Sequence, residues 1–477
     1  MSRVGADAVS PPRDPLSQAE SLSWPSPRRA WYVAAVLAFA YTVSFIDRVV
    51  ISLLIEPIKS DLSLTDTEAS LLIGFSFILF YVLLGFPIGR LADRWNRRNI
   101  IISGVVLWSL MTTLSGFAKS FWQLFVARVG VGIGEAALSP SAYSLISDLF
   151  PRQRLGAALS LYNMGIYAGM GLALILGGGL IQLGSGPKPF VLPLVGPLAP
   201  WRYVLVMAGL LSLTVALLML SVREPQRKES HDQPSDTANR PPATLADTAA
   251  FILAHRDVLL PHLIGFTVVS MLGYAIAAWA PTFFMRTYGM SVAKVGFQYG
   301  VVVLLAGISG VLAGGWIADW CERTRFIDGK MRVAAFGTAL LTVPGVLGPL
   351  MPSAFLALLV MGGTVFFASF PLGIGAAALQ VVVPNRLRGQ LSALFLILVS
   401  IGGVGLGPTL VALVTEYVFG DERALRYSLS ITVGILAPLA AGTLFAALRP
   451  FRSVLHIRER AAERRPGRSS GERPCQE

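Results

Sequence analysis

Charged side chains are scarce in this chain. Of its 477 residues 14% are Asp, Glu, Lys or Arg and 54% are hydrophobic, whereas a soluble globular domain carries about a quarter charged residues. The scarcity argues against a water-soluble fold and suits a chain whose solvent is mostly lipid. Cysteine is scarcer still: Cys321 and Cys475 are the only two. Both fall in segments expected on the cytoplasmic side, with no disulfide framework and no metal-ligand spacing. No H-E-x-x-H, G-x-S-x-G or Walker pattern occurs, which speaks against a membrane-embedded enzyme and against an ATP-driven pump. No ring of repeated charges suggests a channel. No polar domain is long enough to present a basic groove, so the net charge of +12 implies no nucleic-acid partner.

What is there is apolar sequence in long runs. A helix that crosses the hydrocarbon core needs about 20 predominantly apolar residues. Twelve stretches meet that length: 31–55, 69–90, 98–118, 121–147, 155–182 and 201–222, then 258–285, 293–318, 332–352, 354–382, 388–416 and 425–449. The expected fold is an all-α membrane protein with twelve transmembrane helices in two six-helix bundles. The expected organisation is a disordered segment 1–30, a first bundle 31–222, a linker 223–257 with one short amphipathic helix, a second bundle 258–449 and a basic tail 450–477. Residues 1–30 end in Arg28 and Arg29 and run into apolar sequence without a small-residue cleavage site. This reads as an uncleaved first span and not as a removed signal peptide. Most of the 39 Lys and Arg residues fall in the loops that share a side with both termini, which places both termini in the cytoplasm. A bacterial inner membrane and a monomeric state are expected.

The halves echo each other. Gly89-Arg90-Leu91-Ala92-Asp93-Arg94 follows the second span, and Gly315-Trp316-Ile317-Ala318-Asp319-Trp320 follows the eighth. Pro151-Arg152-Gln153-Arg154-Leu155-Gly156 precedes the fifth, and Pro384-Asn385-Arg386-Leu387-Arg388-Gly389 precedes the eleventh. Repeats of this kind are the usual build of secondary transporters, with the binding site where the repeats meet.

An ionisable residue within a span costs about 2.5–3.5 kcal/mol on insertion scales and marks a functional site by default. The predicted interiors hold Asp47 and Arg48 in span 1, Arg128 and Glu135 in span 4, and His262 near the start of span 7. Arg128 and Glu135 are seven residues apart and share a helical face. If spans 1 and 4 face one cavity, two acids and two bases line it. An acid near the midplane beside an arginine can alternate between paired and protonated states. The plainer alternative is an ion cluster that locks two helices together, although Gly130, Gly132 and Gly134 already allow close approach without it. The second half offers Ser, Thr, Tyr and Gln and no internal charge but His262. A cavity charged on one wall and apolar on the other suits an amphiphile.

The most specific stretch is Gly85-Phe86-Pro87-Ile88-Gly89-Arg90-Leu91-Ala92-Asp93-Arg94-Trp95-Asn96-Arg97-Arg98. Positive-inside anchoring explains its arginines, but not Asp93 or the glycine spacing. It resembles the loop between spans 2 and 3 of the major facilitator superfamily, and Arg128-Val129-Gly130-Val131-Gly132-Ile133-Gly134-Glu135-Ala136 resembles that superfamily's fourth-helix motif. The resemblance covers about Trp31 to Arg449. Together with Phe45-Ile46-Asp47-Arg48, the two motifs look like Spinster-type members, with Asn96 where many facilitators have Gly. Trp320, where Arg is expected after Asp319, departs from the pattern. The resemblance implies transport of lysophospholipids or sphingoid-type lipids, with the proton as candidate coupling ion and coupling roles for Asp47, Arg128 and Glu135.

The expected function is therefore a secondary transporter of a lipid-like amphiphile. A proton-coupled organic-anion or multidrug transporter is the alternative, since Arg48 and Arg128 can hold an anion. No cofactor or metal is expected, and a proton is the candidate coupling ion. The expected partners are the amphiphilic substrate and the bilayer. Gly89, Asp93, Arg94, Arg97, Arg98, Asp148 and Asp319 form the expected inner gate. The arginines need acidic partners there, and Asp93 and Asp148 are the nearest by topology.

Overall fold

The computed structural model describes residues 24–184, 191–192, 196–225, 244–324, 326–371, 374–384 and 387–463. Eleven helices are long and apolar enough to cross a membrane. Spans 1 to 6 are Pro27–Leu62, Asp66–Gly85 (the helix continues to Arg94), Arg97–Ser115, Phe121–Leu149, Arg154–Gly184 and Pro200–Ser221. Spans 7 to 9 are Arg256–Tyr288, Val292–Thr324 and Gly329–Leu350, and spans 11 and 12 are Arg388–Phe419 and Glu422–His456. Span 10 differs from the unbroken helix expected over 354–382. It is split into Ala354–Ala368 and Ile374–Val382. Pro371 lies in the break; it has no N–H to donate and disfavours helix at the residue before it.

Span 4 carries the same interruption. Its helix Phe121–Glu135 gives way to a turn at Ala136 and Ala137 before Leu138–Leu149. Both first segments are 15 residues long, and both start from a serine whose hydroxyl accepts a backbone N–H: Ser120 from Gln123 and Ser353 from Leu356. Spans 1 and 7 both end on a left-handed residue, Ser63 and Gly289. The repeat read from the loops thus extends to caps and helix breaks.

The start of span 1 and the end of span 12, the two ends of the described chain, mark one face, called here the terminal face. Trp31 of span 1 packs edge-on against Phe150 at 4.9 Å, and Tyr32 bonds Ser221 at the end of span 6. Arg452 beyond span 12 meets Asp328 before span 9. The span 12 helix runs Leu425–Glu463, past the expected boundary at Arg449. The linker helix is Leu245–Ala254, closed by a capping box of Thr244 and Asp247, and Thr248 bonds Gln390 of span 11. The expected disordered segment up to residue 23, linker residues 226–243 and the tail with Cys475 lie outside the described residues.

The two halves meet most closely toward the opposite, distal face. There the π-turn Leu71–Phe75 of span 2 meets the π-turn Ile401–Leu406 of span 11. A Cβ on Gly74 would fall 1.9 Å from the Val404 carbonyl oxygen, so only glycine permits the approach. Span 5 meets span 8 in the same way, Gly178 against Gly296. Toward the terminal face, Gly156 of span 5, Gly315 of span 8 and Gly389 of span 11 have nothing within 4 Å of a Cβ position. Among the described residues the halves are packed together distally, and these three glycines on the terminal side lie clear of any neighbour.

Gly74→Val is expected to disfavour this closed distal face by about 1–3 kcal/mol. Ser70 and Thr409 hydrogen-bond across it at 3.4 Å. In a background with Cys321 and Cys475 replaced by serine, Ser70→Cys with Thr409→Cys is expected to cross-link readily. Adding Gly74→Val is expected to cut the yield at least about fivefold; an undiminished yield contradicts the geometry.

Candidate functional site

The central charges come together, but not as four equals around one space. Glu135, the last helical residue before the span 4 break, receives two hydrogen bonds on Oε2. Arg48 Nη2 donates at 2.6 Å and Ser44 Oγ at 2.7 Å. The guanidinium of Arg48 lies over the rings of Phe77 at 4.3 Å, Phe45 at 4.6 Å and Tyr81 at 5.4 Å, where cation–π attraction replaces part of its hydration. Asp47 faces elsewhere, because neighbouring residues on a helix project about 100° apart. Its carboxylate is fully buried and accepts from Ser212 at 2.6 Å and Thr112 at 3.5 Å, on spans 6 and 3. Arg128 Nη1 donates to the Asp47 carbonyl at 3.3 Å. Its Nε and Nη2 have no hydrogen-bond partner among the described residues, nor has Asp47 Oδ1 or Glu135 Oε1. Two acids and two bases therefore share one buried cluster, tied directly at Arg48–Glu135. His262 is buried between Phe266 and Phe395, with ring centroids at 4.7 and 5.6 Å, and lies apart from this cluster in the second half.

On the terminal face the loop arginines bind within the first half. Arg97, 1% exposed, holds Asp148 at 2.5 Å, Ser144 at 2.8 Å and Glu224 at 2.7 Å. Arg98 donates its backbone N–H to Glu224 and its side chain to the carbonyls of Met219 and Leu220. These bonds join the ends of spans 3, 4 and 6. Gly89 lies against Pro140 of span 4. Arg94 and Asp319 are exposed and form no ion pair among the described residues; the side chain of Asp93 lies outside them. The second half has its own anchor, Asp328, which is buried and paired with Arg332 at 2.8 Å and Arg452 at 3.0 Å. Glu224 and Asp328 were not singled out from the sequence, because they sit in loops without a recognisable pattern.

The distal face carries a charge cluster that the sequence reading missed. Arg286 at the end of span 7 binds Glu56 and Asp66 at 2.7 Å and Glu422 at 3.0 Å. Lys59 pairs with Asp66, and with Glu422 at 2.9 Å. Thr67 gives both its N–H and its hydroxyl to Glu416, at 3.0 and 2.7 Å. Glu56, Lys59, Asp66 and Thr67 belong to the first half, and Arg286, Glu416 and Glu422 to the second. Unlike the terminal-face bonds, those of Arg286 with Glu56 and Asp66, of Lys59 with Glu422 and of Thr67 with Glu416 cross between the halves. The available signal was position: Glu56, Lys59 and Arg286 follow directly on the apolar runs.

Two six-helix repeats, with a buried ion pair inside the first and ion pairs joining the two at one face, are the build of a membrane transporter. The sequence profile of the Major Facilitator Superfamily matches residues 37–407, and the chain belongs to that family. It is similar to an MFS-type efflux pump of Mycolicibacterium smegmatis, 30% identical over 442 residues that cover 89% of this chain and 94% of the relative. Human protein spinster homolog 1 is 28% identical over 471 residues, covering 91% of this chain and 84% of the human one. Among solved structures, a bacterial homolog of the human lysosomal transporter Spinster, in an inward-facing and unoccupied conformation, matches with a TM-score of 0.69 and 27% identity. The match covers 91% of this chain and 98% of that one. The chain is a multi-pass integral membrane transporter of the superfamily and is Spinster-like.

Arg286→Ala leaves Glu56, Asp66 and Glu422 with Lys59 alone, so like charges on both halves are expected to drive the distal face apart. With Cys321 and Cys475 replaced by serine, the reporter Ser70→Cys replaces a fully buried residue. Its labelling by a membrane-impermeant thiol reagent is expected to rise about tenfold, which corresponds to 1.4 kcal/mol. Unchanged labelling contradicts a distal closure held by this cluster.

Proposed function

We propose that the chain carries a lipid-like amphiphile, a lysophospholipid or sphingoid-type lipid, across the membrane by alternating access linked to protons. The observation that carries this reading is the Arg48–Glu135 pair at 2.6 Å, buried between spans 1 and 4. Protonation of Glu135 removes the charge that holds Arg48 and frees its guanidinium for the anionic head of a cargo. The middles of the second half's spans hold no Asp, Glu, Lys or Arg, which suits the cargo's tail. The terminal face is cytoplasmic in this reading, and the membrane is a bacterial inner membrane. Likeness to Spinster proteins supports the amphiphile; the sequence pattern of Lys and Arg supports the orientation.

Alternating access requires the distal cluster to part and the terminal face to close. Asp93, Arg94 and Asp319, near Gly89 and Gly315, are the residues proposed to meet across the closing terminal face. Arg97, Arg98 and Asp148 hold the first half rigid while this happens. Asp47 and Arg128 complete the cluster and tune Glu135 through spans 3 and 6. A proton moving through 100 mV supplies about 2.3 kcal/mol, and one unit of pH about 1.4 kcal/mol more. Together they support a cargo gradient of a few hundred-fold.

A second reading, an organic-anion or multidrug transporter, is favoured by one observation: the mycobacterial relative is an efflux pump. Both readings use the same pair. Glu135→Gln keeps the shape and the hydrogen-bonding oxygen and removes the titration. In proteoliposomes with an imposed pH gradient it is expected to fold and bind cargo yet lose the pH dependence of transport. Undiminished pH dependence in that variant sinks the coupling role of Glu135. Uptake of organic anions with no uptake of lysolipids selects the second reading.

A further inference from the structure

A groove of about 440 Å³ opens on the flank of the first half. Leu91 and Trp95 of span 2 form one wall, Asn99 and Ser103 of span 3 the other, and Gly134 and Ala137 of span 4 the floor. The groove faces lipid. Ser103 lies on the same stripe of span 3 as Val106, Leu110 and Leu114, which are apolar and 45–51% exposed. Along span 3 the lining runs from Asn96 to Leu107, about 16 Å at 1.5 Å per residue. That is the depth of one leaflet of a hydrocarbon core about 30 Å thick.

The mouth of the groove has the chemistry of a lipid head region. Trp95, 65% exposed, marks the interface as aromatic residues do. Asn96 and Asn99 add polar groups beside it. The adjacent Arg94 is exposed and enters no ion pair among the described residues, and a guanidinium is suited to a phosphate. Deeper in, the lining is Ile100, Leu107 and Ile133. At the floor spans 3 and 4 touch backbone to backbone, since a Cβ on Gly104 would fall 2.5 Å from the Gly134 carbonyl oxygen. Glu135 follows that glycine directly, just before the break in span 4.

We propose that this groove holds an acyl chain of a phosphate-headed bilayer lipid from the leaflet on the terminal face. The phosphate sits at Arg94 until the terminal face closes, and the chain braces the turn that carries Glu135. The occupant is a resident lipid on the bilayer side of span 4, separate from any cargo, so the site stands whatever the transporter carries.

Native mass spectrometry of delipidated protein titrated with phosphatidylglycerol or diacylglycerol tests the site. Ser103→Phe places a ring in the groove, and Leu110→Phe places the same ring on the same lipid-facing stripe beyond it. Wild type and Leu110→Phe are expected to retain one phosphatidylglycerol at concentrations where Ser103→Phe retains at least tenfold less. Arg94→Gln is expected to weaken phosphatidylglycerol about tenfold and leave diacylglycerol unchanged. Equal retention by wild type and both Phe variants overturns the site. Equal retention of the two lipids by wild type overturns the assignment of the phosphate to Arg94. Both readouts are independent of transport, so a failed Glu135→Gln prediction leaves them standing.

Discussion

A charge withdrawn from water must find a partner, and in this molecule the choice of partner decides what can move. Breaking one side of a buried ion pair costs about 3–5 kcal/mol, so each pair fixes the helices that supply it. At the terminal face the pairs stay within a half: Arg97 with Asp148 and Glu224, Asp328 with Arg332 and Arg452. At the distal face they run between halves, from Arg286 to Glu56 and Asp66 and from Lys59 to Glu422. The first kind makes each six-helix unit rigid. The second kind must be exchanged for other contacts whenever the halves rock.

The central pair stands between these extremes. Arg48 and Glu135 sit on different spans of one half, so their bond does not hold the halves together. In the proposed cycle it stores a charge that a proton or a cargo releases. The span 4 break just after Glu135 has a counterpart in span 10, but only the span 4 copy carries a carboxylate at the break. Glycine contacts at Gly74 and Gly178 let the halves touch backbone to backbone on the closed side without any charge at all.

Much of this was legible in the sequence because lipid imposes length and apolarity on every span. The twelve stretches, the internal repeat and the four central charges follow from that constraint. The pairing of Arg97 with Asp148 follows from topology, since both lie at the same face. Hydropathy falls where charges begin, but the helix does not stop there. Span 1 runs on to Leu62 and span 7 to Tyr288, and so Glu56, Lys59 and Arg286 lay beyond the expected ends. Pro371 sat within a run apolar enough to read as one helix. The turning of Asp47 toward Ser212 and Thr112 depends on which neighbours a helix face meets, and periodicity alone does not supply that.

The central claim is that Arg48 exchanges Glu135 for a cargo head while Glu135 takes a proton. The most direct test is proton uptake on cargo binding, with lysophospholipid added to detergent-solubilised protein in weakly buffered dye solution. The account predicts that the wild-type protein takes up protons as it binds and that Glu135→Gln binds without uptake. Binding by the wild-type protein with no proton uptake, or equal uptake by both proteins, contradicts it.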